Sequence, residues 1–181
     1  MLSSILAKSD CAVCKFCCSF RRSSLWETPL FSEADLPALK ELYPTAKFRP
    51  APAANGGNSA NAYTFDISDQ YKSDDPNEEA PCPFLDTSRG CTLPAELKPF
   101  DCKIWPLRAV SLPKHSESAQ TQLAVALTPT CPAINKQPLQ KVRDLASSGL
   151  GAKILDYAAR HPEMVKEYSD FLSTIVYTNP E

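Results

Sequence analysis

Eight cysteines are the residues of this sequence whose type and spacing point to chemistry. Four form a tight run with the pattern C-x2-C-x2-C-C, and four more are spread between residues 82 and 131. In order, they are Cys11, Cys14, Cys17, Cys18, Cys82, Cys91, Cys102 and Cys131. Thiolates are the ligands with which proteins hold zinc ions and iron-sulfur clusters. The set predicts a metal-binding protein with all eight cysteines as ligands.

The start of the chain favours a cytoplasmic protein with reduced thiols. Residues 1–10 carry one lysine and a short apolar patch, without the length or the small-residue cleavage site of a secretory signal. No stretch approaches the roughly 18 uninterrupted apolar residues of a membrane-spanning helix. Cytosolic thiols are kept reduced, so metal ligation is expected here rather than a disulfide framework.

The charge pattern excludes some classes of partner. The formal net charge is −2, and the sequence has no basic blocks and no interleaving of basic and aromatic residues. Binders of nucleic acid or of anionic membranes usually show such a footprint. We therefore expect neither nucleic acid nor membrane, but a protein or redox partner of unknown identity. Four basic residues near the later cysteines can offset thiolate charge: Arg89, Lys98, Lys103 and Arg108.

The first cysteine run has helical spacing. At about 100° per residue, its four thiols fall within an arc of about 120° on one face of a helix. Val13, Phe16 and Phe20 would cluster on a neighbouring face, and Ser9 or Asp10 could cap the start. A loop wrapped around a cluster could present the same spacing. The run is therefore predicted as a ligand-bearing helix, with a loop as the alternative.

The adjacent pair Cys17 and Cys18 bears on the kind of metal. Neighbouring side chains are expected to diverge, which would send the two thiols to different metals and favour a polynuclear centre or two close sites. Cys-Pro pairs at Cys82 and Cys131 are similar to those of ferredoxins, although the spacing of the run is not. The prediction is an iron-sulfur cluster, with the four-iron, four-sulfur form considered first and zinc as the alternative.

The remaining sequence predicts short elements joined by stiff loops, since it has 17 prolines and only 5 glycines. A helix is expected from Ser32 to Tyr43, a flexible loop over 51–60 and a strand over 62–67. Residues 81–106 read as loop with fixed bends, and 108–112 with 122–128 as a hairpin. Helices are predicted over 139–158, broken near 147–151, and from Pro162 towards Val176.

These elements predict an α+β fold, a small domain organised by metal, with short antiparallel strands, proline-rich loops and peripheral helices. The cysteines end at residue 131, so we divide the chain into a cysteine-cluster metal-binding domain over 1–135 and a C-terminal helical extension over 136–181 packed on it.

The cysteine pattern and its flanking residues resemble the bacterial CxxCxxCC cysteine-cluster family, which is described as a zinc- or iron-chelating domain with eight cysteines as its signature. The motifs that carry the resemblance are the first run, Cys82-Pro83-Phe84-Leu85, Gly90-Cys91, Lys98-Pro99, Cys102 before Trp105-Pro106, and Cys131. They span about two thirds of the chain. Departures are Lys15-Phe16, where the family often has a glycine, and Lys98-Pro99, where Arg-Pro is usual. A related domain occurs in a flagellin lysine methylase, where it looks like an iron-sulfur module.

Catalytic residues are not assigned. The two histidines, His115 in a polar turn and His161 before Pro162, are predicted at the surface, and the sequence has no nucleophile elbow or phosphate loop. Four aromatic residues are predicted to be core rather than a substrate site: Tyr63, Phe65, Trp105 and Tyr157.

Three functional classes remain open. The first is an iron-sulfur or iron protein with a redox, sensing or accessory role. The second is a structural zinc module that acts as a partner-binding platform. The third, an enzyme, is the least favoured by the residues present.

Replacing Cys14 or Cys102 by Ser is expected to lower the metal content and destabilise the fold, because a serine hydroxyl is a poor ligand for these metals. Elemental analysis and thermal unfolding measure the two effects. Full metal retention with an unchanged melting temperature in either variant would contradict the ligand role of that cysteine.

Overall fold

A computed structural model describes residues 14, 16–22, 28–52, 58–113, 122–169 and 173–179 of this chain. The chain forms two compact units. One spans residues 15–103 and is called here the cysteine-rich unit; the other is built mainly on residues 104–181 and is called the sheet unit. Helices and mostly antiparallel sheets occur together, so the predicted α+β class is confirmed. The predicted division after residue 135 stays a prediction.

The described part of the cysteine-rich unit contains seven strands in three sheets. The strands are β1 Ser19–Arg21, β2 Phe31–Ser32, β3 Lys47–Pro52, β4 Asn58–Asp66, β5 Glu79–Pro81, β6 Leu85–Asp86 and β7 Gly90–Cys91. Strands β1 and β5 pair with each other, β4 lies between β2 and β3, and β6 and β7 form a hairpin. All of these pairs are antiparallel.

The predicted helix after Ser32 is confirmed. The Ser32 hydroxyl accepts a hydrogen bond of 3.3 Å from the backbone N–H of Ala34 and caps a 3₁₀ turn over Glu33–Asp35. This turn leads into helix α1, Leu36–Leu42. Leu36 and Leu39 are buried against strand residues, as their helical spacing predicts.

Aromatic rings form the core of the cysteine-rich unit, and Phe84 lies at their centre. Its ring centroid is 4.9 Å from that of Tyr43, 5.8 Å from Phe31 and 6.2 Å from both Phe48 and Phe65. Phe84 is 1% exposed. Because three edge-on ring pairs and one stacked pair meet on it, the position of Phe84 is tightly fixed.

Strand β3 was not predicted, and both described ends of the predicted 51–60 loop are strand. Residues 51–52 end β3 and 58–60 begin β4, while 53–57 lie outside the described residues. Two prolines, Pro50 and Pro52, disfavour a strand when only the sequence is considered. In the structure, β3 lies at the edge of its sheet. Proline is tolerated at an edge because one side of such a strand needs no N–H donors.

The sheet unit is built on a hairpin that confirms the prediction. Strands β8 Leu107–Ser111 and β9 Leu123–Leu127 are antiparallel and almost wholly buried. They form the centre of a four-stranded sheet, with β10 Lys166–Glu167 beside β8 and β11 Thr174–Thr178 beside β9.

Two predictions on secondary structure are wrong. The segment from Pro162 to Val176 is a 3₁₀ turn over Pro162–Met164 followed by β10 and β11, because its β-branched end pairs with β9 instead of continuing a helix. The segment over 81–106 is not only loop, since it contains β6, β7 and helix α2, Phe100–Ile104.

The predicted helix pair over 139–158, with its break, is confirmed as α3 Leu139–Leu145 and α4 Gly151–Arg160. The break falls at Gly149, whose φ of +103° is accessible mainly to glycine. Within the described residues, no helix combines the length and apolarity needed to cross a membrane.

Gly151 begins α4 directly against the ring of Tyr177 on β11, and a Cβ at this position would overlap Cγ and Cδ1 of that ring. Gly151→Ala is expected to destabilise the protein by about 1–3 kcal/mol from overpacking, which outweighs the gain of up to about 1 kcal/mol in helix propensity. Denaturant unfolding measures the difference.

Tyr177→Ala provides the matched background. With the ring removed, Gly151→Ala is expected to be neutral or stabilising, so the two substitutions are coupled. Equal effects of Gly151→Ala in both backgrounds would exclude the steric explanation.

Candidate metal centre

In its described residues, the first cysteine run is not α-helical to its end. Cys14 is helical, Phe16–Cys18 form a 3₁₀ turn, and Ser19 begins strand β1. Phe16 is 41% exposed whereas Phe20 is 3% exposed, so these two do not share the hydrophobic helix face predicted for them. The strand takes Phe20 into the aromatic core, and this tertiary packing overrides the helical spacing of the run. Cys11 and Val13 lie outside the described residues.

The β1–β5 ladder brings the end of this run to Cys82. Ser19 pairs with Pro81, and the next hydrogen bond along the ladder runs from the N–H of Cys82 to the carbonyl oxygen of Cys18, at 2.8 Å. Cys18 and Cys82 are therefore cross-strand neighbours. The two cysteine sets that the sequence separates by more than sixty residues thus meet through backbone hydrogen bonds.

A tight turn holds Cys82 next to the aromatic core. The N–H of Leu85 donates to the carbonyl oxygen of Cys82 at 3.0 Å, and Phe84 inserts into the core from this turn. Burial raises the pKa of the Cys82 thiol to about 12, while a hydrogen bond from the N–H of Phe84 acts in the opposite direction. Such N–H donors to sulfur stabilise thiolates and tune metal centres.

Three other thiols lie near Cys82. Burial is the main cause of the raised pKa of Cys82. The negative charge of nearby thiolates raises it further, and these belong to Cys102, Cys91 and Cys17. Cys91 ends β7 directly opposite Leu85, and Cys102 lies in helix α2. With Cys18 on the adjacent ladder position, five cysteines of the cysteine-rich unit form one group, called here the five-cysteine group.

Cys17 and Cys18 do not diverge, contrary to the expectation from adjacent residues. A hydrogen bond between their thiols, together with burial, raises the pKa of Cys17 far above its ordinary value. The 3₁₀ turn that ends in the strand bends the backbone between them and brings the side chains together. Lys98 lowers the pKa of Cys17, so this predicted counter-charge faces the group.

Backbone hydrogen bonds fix the segment after Cys91. The Tyr43 hydroxyl donates to the carbonyl oxygen of Thr92 at 2.7 Å. The N–H and the hydroxyl of Thr92 both donate to the carbonyl oxygen of Phe84 at 2.9 Å. At the other end of the segment between β7 and helix α2, the N–H of Lys103 donates to the carbonyl oxygen of Pro99 at 3.0 Å, within the first turn of α2. The hairpin is therefore tied to the same core as the Cys82 turn.

The remaining predicted ligands are Cys14 and Cys131, both of which belong to the sheet unit. Cys14 is exposed and Cys131 is buried. No disulfide forms among the seven cysteines that the structure describes. In the same residues, no three His, Cys, Asp or Glu side chains are placed so as to hold a metal ion. The five-cysteine group is thus a neighbourhood of thiols, not a preformed coordination polyhedron.

Side chains outside this group offer less chemistry. His161 is partly exposed, stacks on Tyr157 with ring centroids 4.2 Å apart, and lies 3.2 Å from Glu163. His115 lies outside the described residues. Arg108 stacks on Trp105 at 4.6 Å, which gives that ring a structural role. His161 lies at the surface, as predicted. Of the four aromatic residues predicted as core, Phe65 is buried, whereas Tyr63, Trp105 and Tyr157 are half-buried.

The sheet unit has an open groove of about 550 Å³ beside β9 and α4. Its lining includes Leu123, Leu155 and Asp156, and Asp156 is already paired with Arg160 at 2.7 Å. A ligand site needs convergent polar groups. The polar residues of this lining are Gln122, Asp156 and Asn179, two neutral amides and a carboxylate that is already ion-paired. The five-cysteine group remains the better candidate.

Comparison with known proteins gives no relative: no family model, no curated protein and no solved structure matches this chain.

Sequence reasoning missed two residues that position the thiols. Phe84 was noted only as part of a motif, and no local pattern in the sequence marks it as the centre of the aromatic core. Asp86 was not noted at all. Its carboxylate accepts from the N–H and the hydroxyl of Ser88 and from the N–H of Arg89 at 2.6–2.9 Å, and so closes the hairpin that carries Cys91.

Hydrogen bonds from Ser88, first from its hydroxyl and then from its N–H, lower the pKa of Asp86 from 3.8 to about 2. Since the folded-state pKa is lowered, the carboxylate stabilises the turn above its ordinary pKa, and this contribution is lost as the pH falls from about 3.8 through about 2. The amide chemical shifts of Ser88 and Arg89 are therefore expected to titrate with a midpoint of about 2.

Two substitutions of Asp86 distinguish the effect of its charge from that of its hydrogen bonds to Ser88 and Arg89. Asp86→Ala should speed amide hydrogen exchange at Ser88 and Arg89, and Asp86→Asn, which keeps one acceptor oxygen, should lie between it and the native protein. Unchanged exchange in Asp86→Ala would show that the turn does not depend on this side chain.

Proposed function

We propose that this chain is a thiolate metal-binding protein, with one centre built on the five-cysteine group and iron-sulfur as its occupant, in a redox, sensing or accessory role. The observation that carries the proposal is the setting of Cys82, on the strand ladder beside Cys18 and near enough to Cys102, Cys91 and Cys17 for their charges to raise its pKa. Isolated buried cysteines behave as small hydrophobic residues, but five in one neighbourhood exceed that use. Membership of the CxxCxxCC cysteine-cluster family, and a cytoplasmic location, belong to the same proposal.

The donor set fits a soft or borderline metal. Thiolates select zinc and iron-sulfur centres over magnesium or calcium, which need oxygen ligands. Cys82 receives an N–H hydrogen bond from Phe84, and Lys98 supplies positive charge at Cys17. Both features stabilise the deprotonated thiols that a metal requires. A change of cysteine rotamer moves a sulfur atom while the backbone stays in place, and such changes are needed for the thiols to converge.

The metal must also compensate for the resistance of these thiols to ionisation. The pKa values of Cys17 and Cys82 are raised, so both thiols are protonated at neutral pH without a metal. Metal binding then releases protons and weakens as the pH falls. An iron-sulfur cluster would supply one-electron redox chemistry at this position, and zinc would supply structural stabilisation.

Only one of the two sequence arguments for iron-sulfur over zinc agrees with the structure. The argument from diverging Cys17 and Cys18 no longer applies, since their thiols are in contact. The Cys-Pro pair at Cys82 remains, and its turn delivers the N–H of Phe84 to the sulfur. A structural zinc module that binds a partner is the alternative, and metal analysis separates the two.

Protein purified without oxygen is expected to be brown, with broad visible absorption, bound iron and acid-labile sulfide. Colourless protein with about one zinc ion per five-cysteine group would favour the structural alternative. Folded protein with neither metal would contradict the proposal, because thiolate coordination is its basis.

Cys82→Ser tests the site itself, and we expect a loss of metal affinity of at least about tenfold. Ser19→Ala is the matched control, since it changes a neighbour of Cys18 in the same ladder without removing a thiol. Circular dichroism confirms that both variants fold. Native metal content in Cys82→Ser would exclude Cys82 as a ligand.

A further inference from the structure

The ladder between β1 and β5 sets two cysteines directly opposite each other. Ser19 pairs with Pro81, and the ladder continues one step further with the hydrogen bond of 2.8 Å from the N–H of Cys82 to the carbonyl oxygen of Cys18. Opposite residues of an antiparallel pair have Cα atoms about 4.5–5.5 Å apart. Disulfides join cysteines whose Cα atoms are about 4.4–6.8 Å apart. The backbone spacing of Cys18 and Cys82 therefore suits a disulfide without any movement of the chain.

The alternation of the ladder places both cysteines on the same face of the strand pair. Two positions further along, Phe20 lies opposite Ala80, and both of these residues are buried. Side chains two positions apart along a strand share a face, so Cys18 and Cys82 belong to the face that Phe20 and Ala80 turn to the core.

The burial of the two cysteines agrees with this position. Cys82 packs against the aromatic core, and Cys18 and Cys82 are both half-buried free thiols. The pair thus lies at the margin of the core, where part of each side chain meets solvent. A small oxidant can reach such a pair, whereas a thiol in the interior would be inert.

We propose that Cys18 and Cys82 are a reversible redox pair, which forms a cross-strand disulfide with a low-molecular-weight disulfide, such as oxidised glutathione, as the oxidant. The inference goes beyond the proposed function and does not depend on a bound metal. Disulfides in reducing compartments are usually transient and redox-sensing, so a reversible pair is compatible with thiols that are otherwise reduced.

The disulfide forms by two thiol–disulfide exchanges. One thiol of the pair loses its proton, and its sulfur attacks the reagent. The S–S bond of the reagent breaks, a mixed disulfide forms, and the first reagent thiol leaves with a proton. The second thiol of the pair then loses its proton and attacks the protein sulfur of the mixed disulfide, which releases the second reagent thiol. The protein loses two electrons and two protons, and the reagent gains them.

Mass spectrometry of the full chain tests the pairing directly. The protein is incubated with oxidised glutathione and a chelator, so that no bound metal protects the thiols. Free thiols are then alkylated with iodoacetamide, and the protein is digested with trypsin without reduction. Cys82 lies in the tryptic peptide 73–89 and Cys18 in the peptide 16–21. The expected product is these two peptides joined, and dithiothreitol should separate them.

Two alanine variants identify the partner of Cys82, because peptide 16–21 also contains Cys17. Cys18→Ala is expected to abolish the joined peptides. Cys17→Ala is the matched control, since it removes the adjacent thiol and leaves both members of the pair, and it should retain the joined peptides. Circular dichroism before oxidation confirms that both variants fold.

The outcomes distinguish this inference from the proposed function. Native protein in which Cys82 is alkylated rather than joined to peptide 16–21 would overturn the inference, and so would joined peptides that persist in Cys18→Ala. The oxidation is measured without metal, so a lack of metal in the purified protein would contradict the proposed function alone.

Discussion

The burial of Phe84 is the interaction on which the arrangement of the thiols depends. Removing such a side chain from water contributes about 1.5–3 kcal/mol, and each favourable ring pair adds about 0.5–1.5 kcal/mol. Because Phe84 is two residues from Cys82, the same packing fixes the Cys82 turn, the pairing of Cys82 with Cys18 and the start of the hairpin that ends in Cys91. The aromatic core thus acts as a scaffold for cysteines.

This scaffold changes the expected relation between metal and folding. Small zinc domains are often unfolded without metal, since the ligands are the main source of their stability. Among its described residues, the cysteine-rich unit has a core of eight buried apolar residues, against which Cys82 packs. A metal bound at the thiols would stabilise the rim of this core, where the Cys82 turn, the hairpin and helix α2 meet. The proline-rich segment is therefore ordered by packing as well as by any ligand.

The electrostatics of the group set conditions on what it can bind. Burial and thiol neighbours favour the protonated forms of Cys17 and Cys82, whereas Lys98 and the N–H of Phe84 favour the thiolates. A soft cation is the species that reverses this balance, because it bonds directly to sulfur and displaces the protons. Proton release and metal uptake are therefore the same event in the proposed function.

The amino-acid sequence by itself determined the class of fold, the capped helix after Ser32, the β8–β9 hairpin and the broken helix pair, and it singled out the cysteines. These features follow from local signals: a cap, alternation of apolar residues, and Gly149 at a position with positive φ. Strand β3 and the end of the chain were misread, because pairing with a neighbouring strand overrode proline content in one case and helical spacing in the other.

Only the tertiary structure decided which cysteines meet. Cys18 and Cys82 are far apart in sequence, and no local pattern encodes a ladder between them. Cys17 and Cys18 end a 3₁₀ turn that leads into strand β1, whose Phe20 is buried in the aromatic core. Residue type fixes the chemistry that a thiol can perform, but long-range packing fixes its neighbours, its exposure and its ease of ionisation.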